Sequence, residues 1–282
     1  MEQGSSVLPT ARHRQHAPVR SDEVFGLRTR HGISWLTPPP PWPAAVCGGV
    51  SCRRGGCSRG ALASLNLGSR VGDASVHLRA NLAALCRAAG LPLEGAARIR
   101  LEHGARVRVV DSGGVAGTGD GLVTRRPGLP LALTVADCVP LLLARPGRGV
   151  ALAHCGWRGT LAGVAEATAA RLCRAARVRP PELFAWIGPG IGACCFRLPR
   201  ESAQNFDARA LGATDGGTTD RRGIAVSLAD ELRLRLETFG VSPGRVIDSR
   251  VCTGCHPELF YSYRRDLGRC GRMLAWILDA GP

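Results

Sequence analysis

The chain has 282 residues, 45% of them hydrophobic, and can bury a substantial core in one large domain or two small ones. Its net charge is +15, and all of its 37 basic residues are Arg. Only 5% of its residues are aromatic, which argues against a nucleic-acid-binding protein. The twelve cysteines of a chain this long, with no signal-peptide core and no membrane span, predict reduced thiols and a cytoplasmic location, not a disulfide-stapled secreted protein.

The N-terminal part of the chain is predicted to lie outside the folded domain. Residues 1–33 are polar and rich in Arg and His without periodicity, and the prolines of residues 38–43 indicate a stiff extended segment. We interpret residues 1–44 as a disordered or mis-started Arg/Pro-rich extension. A single folded domain is expected over residues 45–282.

Hydrophobic patterning predicts mixed helices and strands after residue 45. Residues 76–89 carry apolar side chains at helical spacing, and the Val-rich residues 106–111 are typical of a strand. Further strands are expected over residues 131–135, 139–144, 150–154 and 183–187, and further helices over 161–176 and 228–239. This mixture predicts an α+β or α/β domain.

Three potential metal ligands lie beside turns or at strand ends: His103, Cys138 and His154. Catalytic zinc typically takes three protein ligands and keeps a fourth position open, and the long spacings suit ligands on separate strands. From spacing alone, two packed histidines and a core cysteine are the more ordinary interpretation. A cysteine hydrolase is an alternative, with Cys138 as nucleophile, His154 as base, and Asp137 or another acid orienting the imidazole.

Ordered sequence blocks surround these ligands from about residue 45 onward. They are residues 51–58 (SCRRGGCS), 64–68 (SLNLG), 72–73 (GD), Asn81, 120–124 (DGLVT), 187–192 (IGPGIG), 252–253 (CT), 260–266 (FYSYRRD) and 271–272 (GR). In this order they resemble the bacterial YfiH/YlmD family, often called multicopper polyphenol oxidase or laccase-domain proteins. The resemblance covers nearly the whole chain after the extension.

The resemblance implies one α+β domain of four layers, α/β/β/α with mixed β-sheets, and zinc held by His103, Cys138 and His154. It also implies a purine nucleoside phosphorylase acting on inosine, guanosine, adenosine and methylthioadenosine, with adenosine deaminase activity. Purine nucleosides and phosphate are therefore the expected partners, with no nucleic acid or membrane and no signal for an oligomeric state. Zinc explains deamination more directly than phosphorolysis, because it lowers the pKa of a coordinated water.

Copper and polyphenol oxidation are the less favoured version of the family's chemistry, because a multicentre copper enzyme needs more than the seven histidines present. Phosphorolysis needs an anion near the ribose, so at least one Arg should face the pocket. We predict Arg53 and Arg158 as catalytic residues and Arg264 as a substrate contact. Asn66 is predicted to hydrogen-bond the sugar or base, with turn capping as its alternative role.

Two other functions stay open at this point: a hydrolase that edits peptidoglycan precursors through Cys138 and His154, and a regulatory binding module. Residues 252–256 (CTGCH) satisfy the haem-attachment pattern, but no export signal accompanies them. Cys252 and Cys255 could instead close a tetrahedral structural zinc site with the adjacent pair at residues 194–195, or all four could be buried thiols.

Overall fold

The computed structural model describes residues 26–212 and 223–281, so residues 1–25 of the predicted extension lie outside the described part. None of the helices in these two ranges is long and apolar enough to cross a membrane, and the cytoplasmic location stays a prediction. The elements in chain order are β1 Leu27–Arg30, β2 Ile33–Leu36, β3 Val46–Ser51, α1 Ser75–Ala89, β4 Ala97–Arg100, β5 Val107–Val109, β6 Gly114–Thr118, β7 Gly121–Thr124, β8 Leu131–Val135, β9 Val139–Arg145, β10 Gly149–Cys155, α2 Trp157–Leu161, α3 Val164–Ala176, β11 Phe184–Ile187, β12 Arg197–Leu198, α4 Arg200–Ala203, β13 Ile224–Ala225, α5 Leu228–Phe239, β14 Val246–Asp248 and β15 Met273–Asp279.

Two large mixed sheets form the centre of the domain. One has seven strands in the order β1-β2-β3-β15-β8-β4-β6, and the other has six in the order β14-β11-β9-β10-β7-β5. A shared apolar core fills the space between them, while α1 packs on the outer face of the first sheet and α3 and α5 pack on the outer face of the second. The predicted four-layer α/β/β/α fold is confirmed.

Strand β10 shows why this architecture produces continuous apolar runs. Val150 and Leu152 face the core between the sheets, while Ala151 and Ala153 face the helices, since successive side chains of a strand point to opposite faces. All seven residues of β10 are buried. A strand covered on both faces has no wet side, which is why it lacks polar alternation.

Residues 26–44 correct the predicted boundary of the extension. They hold β1 and β2, and β2 continues the seven-stranded sheet by pairing Leu36 with Val50 of β3. Ile33 and Leu36 are buried in the cores on either side of that sheet. The prediction that this segment lies outside the fold is wrong, because each strand has only four residues and is too short to reveal a period.

The helix predicted over residues 161–176 begins later in the structure, as α3 Val164–Ala176, and Leu161 is instead the last residue of the separate helix α2. Gly163 interrupts them with a φ of 84°, a left-handed conformation that glycine adopts without steric cost. Helix α2 begins at Trp157, one residue after the end of β10, with Gly156 as its N-cap.

The connections between the two sheets define the functional end of the molecule. Strands β4, β6 and β8 run parallel to one another, so their C-terminal ends lie at one edge of the seven-stranded sheet. Each is followed by a short loop that crosses to β5, β7 or β9 of the six-stranded sheet. Three loops distant in sequence therefore meet at one edge of the sandwich, beside the end of β10.

Candidate metal centre

The three predicted ligands come together at this edge. His103 lies in the loop between β4 and β5, Cys138 in the turn between β8 and β9, and His154 near the end of β10. Their ligand atoms all lie within 4.8 Å of one another, and the two imidazole rings meet edge to face with centroids 4.9 Å apart. His103 is exposed whereas His154 is buried, so the cluster opens to solvent on one side only.

A buried carboxylate holds two of these ligands in place. One oxygen of Asp120, Oδ1, accepts hydrogen bonds from His154 Nδ1 at 2.9 Å and from the backbone N–H of His103 at 3.0 Å. The other oxygen, Oδ2, accepts from the N–H groups of Gly104 at 2.7 Å and Glu102 at 3.3 Å. Because Nδ1 of His154 is engaged, Nε2 is the nitrogen left to bind a metal.

Sequence reasoning did not assign a role to Asp120, although it stands in the block between the first two ligands. Its contact with His154 spans 34 residues of chain, so no local pattern reports it. The only signal available was its polarity just before the buried strand β7.

Unusual backbone conformations and a missing side chain shape the cluster. His103 and Asp137 both adopt left-handed φ values, 59° and 80°, which cost energy for residues other than glycine and are typical of functional sites. At Gly156, a Cβ atom would lie 2.9 Å from the sulfur of Cys138 and 3.3 Å from Nδ1 of His103. Glycine at this position therefore leaves the space in which the donor atoms converge.

The electrostatics of the cluster favour an ionised sulfur. Burial alone would raise the pKa of Cys138, but the charge of His154 and hydrogen bonds with both imidazoles lower that pKa to about 6. Burial would lower the pKa of His154, but the Cys138 thiolate and the Asp120 carboxylate raise it to about 9. One thiolate and two imidazoles in reach of one point form a donor set that suits zinc.

A cavity of about 420 Å³ opens from the cluster, a volume typical of small-molecule sites. Besides the three ligands, its walls carry guanidinium groups and aromatic rings: Arg158, Arg264, Arg272, Trp157, Phe196 and Tyr263. The guanidinium of Arg158 stacks 4.3 Å from the ring of Trp157, and that of Arg264 lies 5.0 Å from the ring of Phe196. The cavity therefore offers both positive charge and stacking surfaces.

Two of the four residues predicted to assist the ligands line this cavity, and two do not. Arg158 and Arg264 are in its wall, together with Arg272, which sequence reasoning missed. The prediction that Arg53 faces the pocket is wrong. Its guanidinium donates to the carbonyls of Ala63 and Pro257 and lies 4.6 Å from the ring of Tyr261, so it fastens loops to one another.

Asn66 also lies away from the cavity. It is fully buried, its Nδ2 donates to Asp73, and its Oδ1 accepts from the backbone N–H groups of Gly68 and Arg272. The structure thus gives Asn66 the turn-capping role and corrects the prediction that it contacts substrate. Its bond to the backbone of Arg272 nevertheless helps to position a residue that lines the cavity.

Asp137 does not orient the imidazole of His154. Its carboxylate accepts hydrogen bonds from the hydroxyls of Thr253 at 2.6 Å and Ser262 at 3.1 Å, and from the N–H of Arg264 at 2.7 Å. It therefore ties the turn that carries Cys138 to the C-terminal loops. The acid that sequence reasoning left open beside His154 is Asp120.

Comparison with known proteins places this fold and site in context. A family model described as multi-copper polyphenol oxidoreductase laccase matches residues 48–279. The purine nucleoside phosphorylase YlmD of Geobacillus stearothermophilus is 36% identical over 262 residues, covering 84% of this chain and 91% of that protein. The purine nucleoside phosphorylase YfiH of Escherichia coli is 34% identical over 246 residues, covering 86% and 97%. The crystal structure of YlmD from G. stearothermophilus superposes with a TM-score of 0.81 at 31% identity, covering 90% of this chain and 98% of that one.

Proposed function

Because this chain belongs to the YfiH/YlmD family, matched by the multi-copper polyphenol oxidoreductase laccase model, we propose that it is a purine nucleoside phosphorylase. The observation that carries the proposal is the cluster of His103, Cys138 and His154 at the base of a cavity with both cationic and aromatic walls. Inosine, guanosine, adenosine and methylthioadenosine are its proposed substrates, with phosphate as the second substrate and adenosine deamination as a further activity.

We assign the aromatic side chains of the cavity wall to the nucleoside and its arginines to phosphate. A purine ring is flat and apolar on its faces, so the rings of Trp157, Phe196 and Tyr263 provide surfaces for stacking. Phosphate is a dianion with several acceptor oxygens, and a planar guanidinium can pair with two of them at once. We assign phosphate binding to Arg158 and Arg264, both of which are exposed at the cavity wall.

The cluster fits a single zinc ion, which His103, Cys138 and His154 would hold. Three protein donors, one of them a thiolate, match the open coordination of catalytic zinc, and Gly156 leaves room for the ion. When bound, zinc supplies Lewis-acid polarisation of an oxygen in the cavity. Within the chain, Asp120 bonds Nδ1 of His154 and so orients Nε2 of the imidazole toward the cluster.

Copper oxidase chemistry is less consistent with these residues. Among the described residues, the two groups of close ligand-type side chains contain only two histidines, both in the His103 group. A multicopper centre requires several imidazoles around each of several ions. We therefore propose zinc as the metal despite the copper in the family's description.

Incubation of the purified protein with inosine and phosphate tests the proposed function. We expect release of hypoxanthine together with ribose 1-phosphate, dependent on phosphate and followed by liquid chromatography. Cys138→Ser should abolish this release, whereas Cys173→Ser, a change to a half-buried thiol on α3, should leave it intact. Absence of base release from zinc-loaded wild-type protein with all four nucleosides would refute the proposal.

A second candidate is a cysteine hydrolase, because Cys138 contacts His154 and His154 contacts Asp120. The three side chains could therefore act as nucleophile, base and orienting acid. Peptidoglycan precursors are the substrates proposed for it. Chelation separates the two functions: removal of zinc should stop phosphorolysis but should free the thiolate of a hydrolase. Cleavage of muropeptides by the chelated protein, with no turnover of nucleosides, would favour this alternative.

A further inference from the structure

Four cysteines outside the cavity meet where two parallel strands end. Strands β11 and β14 pair in parallel, so the segments that follow them leave the sheet at the same edge. The first segment carries Cys194 and Cys195, and the second carries Cys252 and Cys255. A backbone bridge between Gly190 and Cys252 keeps the two segments side by side.

The four sulfurs form a compact group. They all lie within 4.8 Å of one another, and Cys255 is 3.4 Å from Cys194 and 3.5 Å from Cys195. A tetrahedral zinc ion with Zn–S bonds of about 2.3 Å requires sulfur–sulfur separations of about 3.8 Å. The observed spacings fit that requirement, and all four residues are free thiols.

Two glycines give the sulfurs their room. A Cβ atom at Gly254 would lie 2.9 Å from the sulfur of Cys195, and one at Gly192 would lie 3.3 Å from the sulfur of Cys194. The backbone N–H of Gly192 also donates to the sulfur of Cys252 at 3.2 Å. Donation from a backbone N–H stabilises a thiolate, the form of cysteine that binds metals.

We propose that Cys194, Cys195, Cys252 and Cys255 form a second metal site, separate from the His103 cluster, that binds one structural zinc ion. Four protein ligands leave no open position, which is the arrangement of structural zinc sites. An iron–sulfur cluster places several irons and sulfides between its thiolates, and a group this tight has no space for them. Cys194 is exposed and provides the route by which the ion enters.

The site has a role in the architecture of the cavity. Ile191 and Phe196, which flank the first cysteine pair, both line the cavity beside the His103 cluster. Thr253, between the other two cysteines, donates to Asp137 in the turn that carries Cys138. A zinc ion would therefore fasten one wall of the cavity to the turn that presents a catalytic ligand.

The experiment counts metal ions in full-length protein without a histidine tag, purified anaerobically without chelators. Native mass spectrometry and elemental analysis should find two zinc ions in the wild type. His103→Ala should keep one zinc and Cys255→Ser should keep the other, while the control Cys173→Ser keeps both. Replacement of zinc by Co²⁺ should give strong thiolate-to-metal absorption in His103→Ala, where the four-sulfur site remains.

The outcomes separate this proposal from the proposed function. A single zinc that survives His103→Ala supports the four-cysteine site and counts against the catalytic metal. A single zinc that His103→Ala removes overturns the four-cysteine site, as would bound iron, or a disulfide among these cysteines in the anaerobic wild type. The zinc content of the wild type and of His103→Ala tests the four-cysteine site even if Cys255→Ser fails to fold.

Discussion

Replacement of Asp120 by asparagine is the sharpest test of how the cluster is assembled. The change preserves shape and removes only charge and acceptor capacity. The carboxylate now accepts four hydrogen bonds, two on each oxygen, from His154 and from the N–H groups of residues 102–104. An asparagine amide has one oxygen to accept them, and its NH₂ group faces the remaining donors.

Both orientations of the amide are costly. If its oxygen takes the place of Oδ1, the N–H groups of Glu102 and Gly104 face the NH₂ group and lose their acceptor. If it takes the place of Oδ2, the NH₂ group donates to Nδ1 of His154, which moves the imidazole proton to Nε2 and blocks metal binding. Hydrogen bonds to a charged group contribute roughly 1.5–3 kcal/mol each, so losing two should destabilise the protein by about 3 kcal/mol or more.

Two measurements follow from Asp120→Asn. A loss of about 3 kcal/mol should lower the thermal midpoint by roughly 6–12 °C in a domain of this size. Loss of a carboxylate that orients a ligand should weaken zinc binding by roughly 10–100-fold, measured by competition with a chelator. Asp111→Asn, the same change at an exposed position, should alter neither value. Wild-type zinc affinity together with a wild-type melting temperature in Asp120→Asn would refute the reasoning.

Three further predictions follow from the site and its surroundings. Arg158→Ala should raise the KM for phosphate roughly 10–100-fold in steady-state kinetics and leave the melting temperature unchanged. Arg53→Ala should instead lower the melting temperature measured by calorimetry, because the guanidinium of Arg53 bonds backbone carbonyls. Zinc removal should make Cys138 react with iodoacetamide at neutral pH, since its pKa is lowered to about 6, and re-addition of zinc should protect it; equal labelling in both forms contradicts this. Burial alone would raise the pKa of Asp73, but hydrogen bonds from Asn66, Ser58 and His77 lower that pKa to about 2. The stability that this carboxylate contributes is therefore present above about pH 4 and is lost as the pH falls toward 2. The deficit of Asp73→Asn in urea unfolding should therefore be up to about 2 kcal/mol at pH 5 and shrink toward pH 2; a deficit independent of pH contradicts the assignment.

The helices and strands that the sequence predicts well are those in which each face has the same surroundings, core or solvent, along the whole element. Strands β8, β9 and β10 are predominantly apolar because the core covers both of their faces, and α5 has polar residues on its solvent-facing side. Strands β1 and β2 were missed because each has only four residues, and because β1 is the edge strand of its sheet, where two exposed arginines outnumber its single apolar residue. Length and exposure, not unusual chemistry, limited the prediction there.

The clustering of His103, Cys138 and His154 could be predicted from the sequence, but the side chains that support the cluster could not. The ordered blocks that surround them pointed to His103, Cys138 and His154, because together those blocks resemble one family and each ligand stands beside a turn or at a strand end. An arginine such as Arg53 looks the same in sequence whether its guanidinium meets a phosphate or backbone carbonyls. The role of Asp120 could not be recognised from sequence for a related reason. Its partner His154 lies 34 residues further along the chain, on another strand, so no local pattern links the two.

His103 decides between the two chemistries that the cluster can support. Cys138, His154 and Asp120 alone suffice for a nucleophile, a base and an orienting acid, so a hydrolase does not need a second imidazole. A metal does need it, because two protein donors hold zinc weakly. His103 is exposed, and Asp120 bonds only its backbone N–H, so His103→Ala removes the hydrogen bond from this imidazole to Cys138 but leaves those among Cys138, His154 and Asp120 in place.

His103→Ala should therefore fold with nearly wild-type stability while losing both the zinc proposed for this cluster and the proposed phosphorolysis. Leu101→Ala, at another residue of the cavity wall, is the matched control and should retain that zinc. If His103→Ala loses the metal but keeps full turnover, the metal is not needed for catalysis, and the result favours the thiolate of Cys138 as nucleophile. Because the exposed imidazole contributes little to folding, the loss of activity can be assigned to the loss of a metal donor.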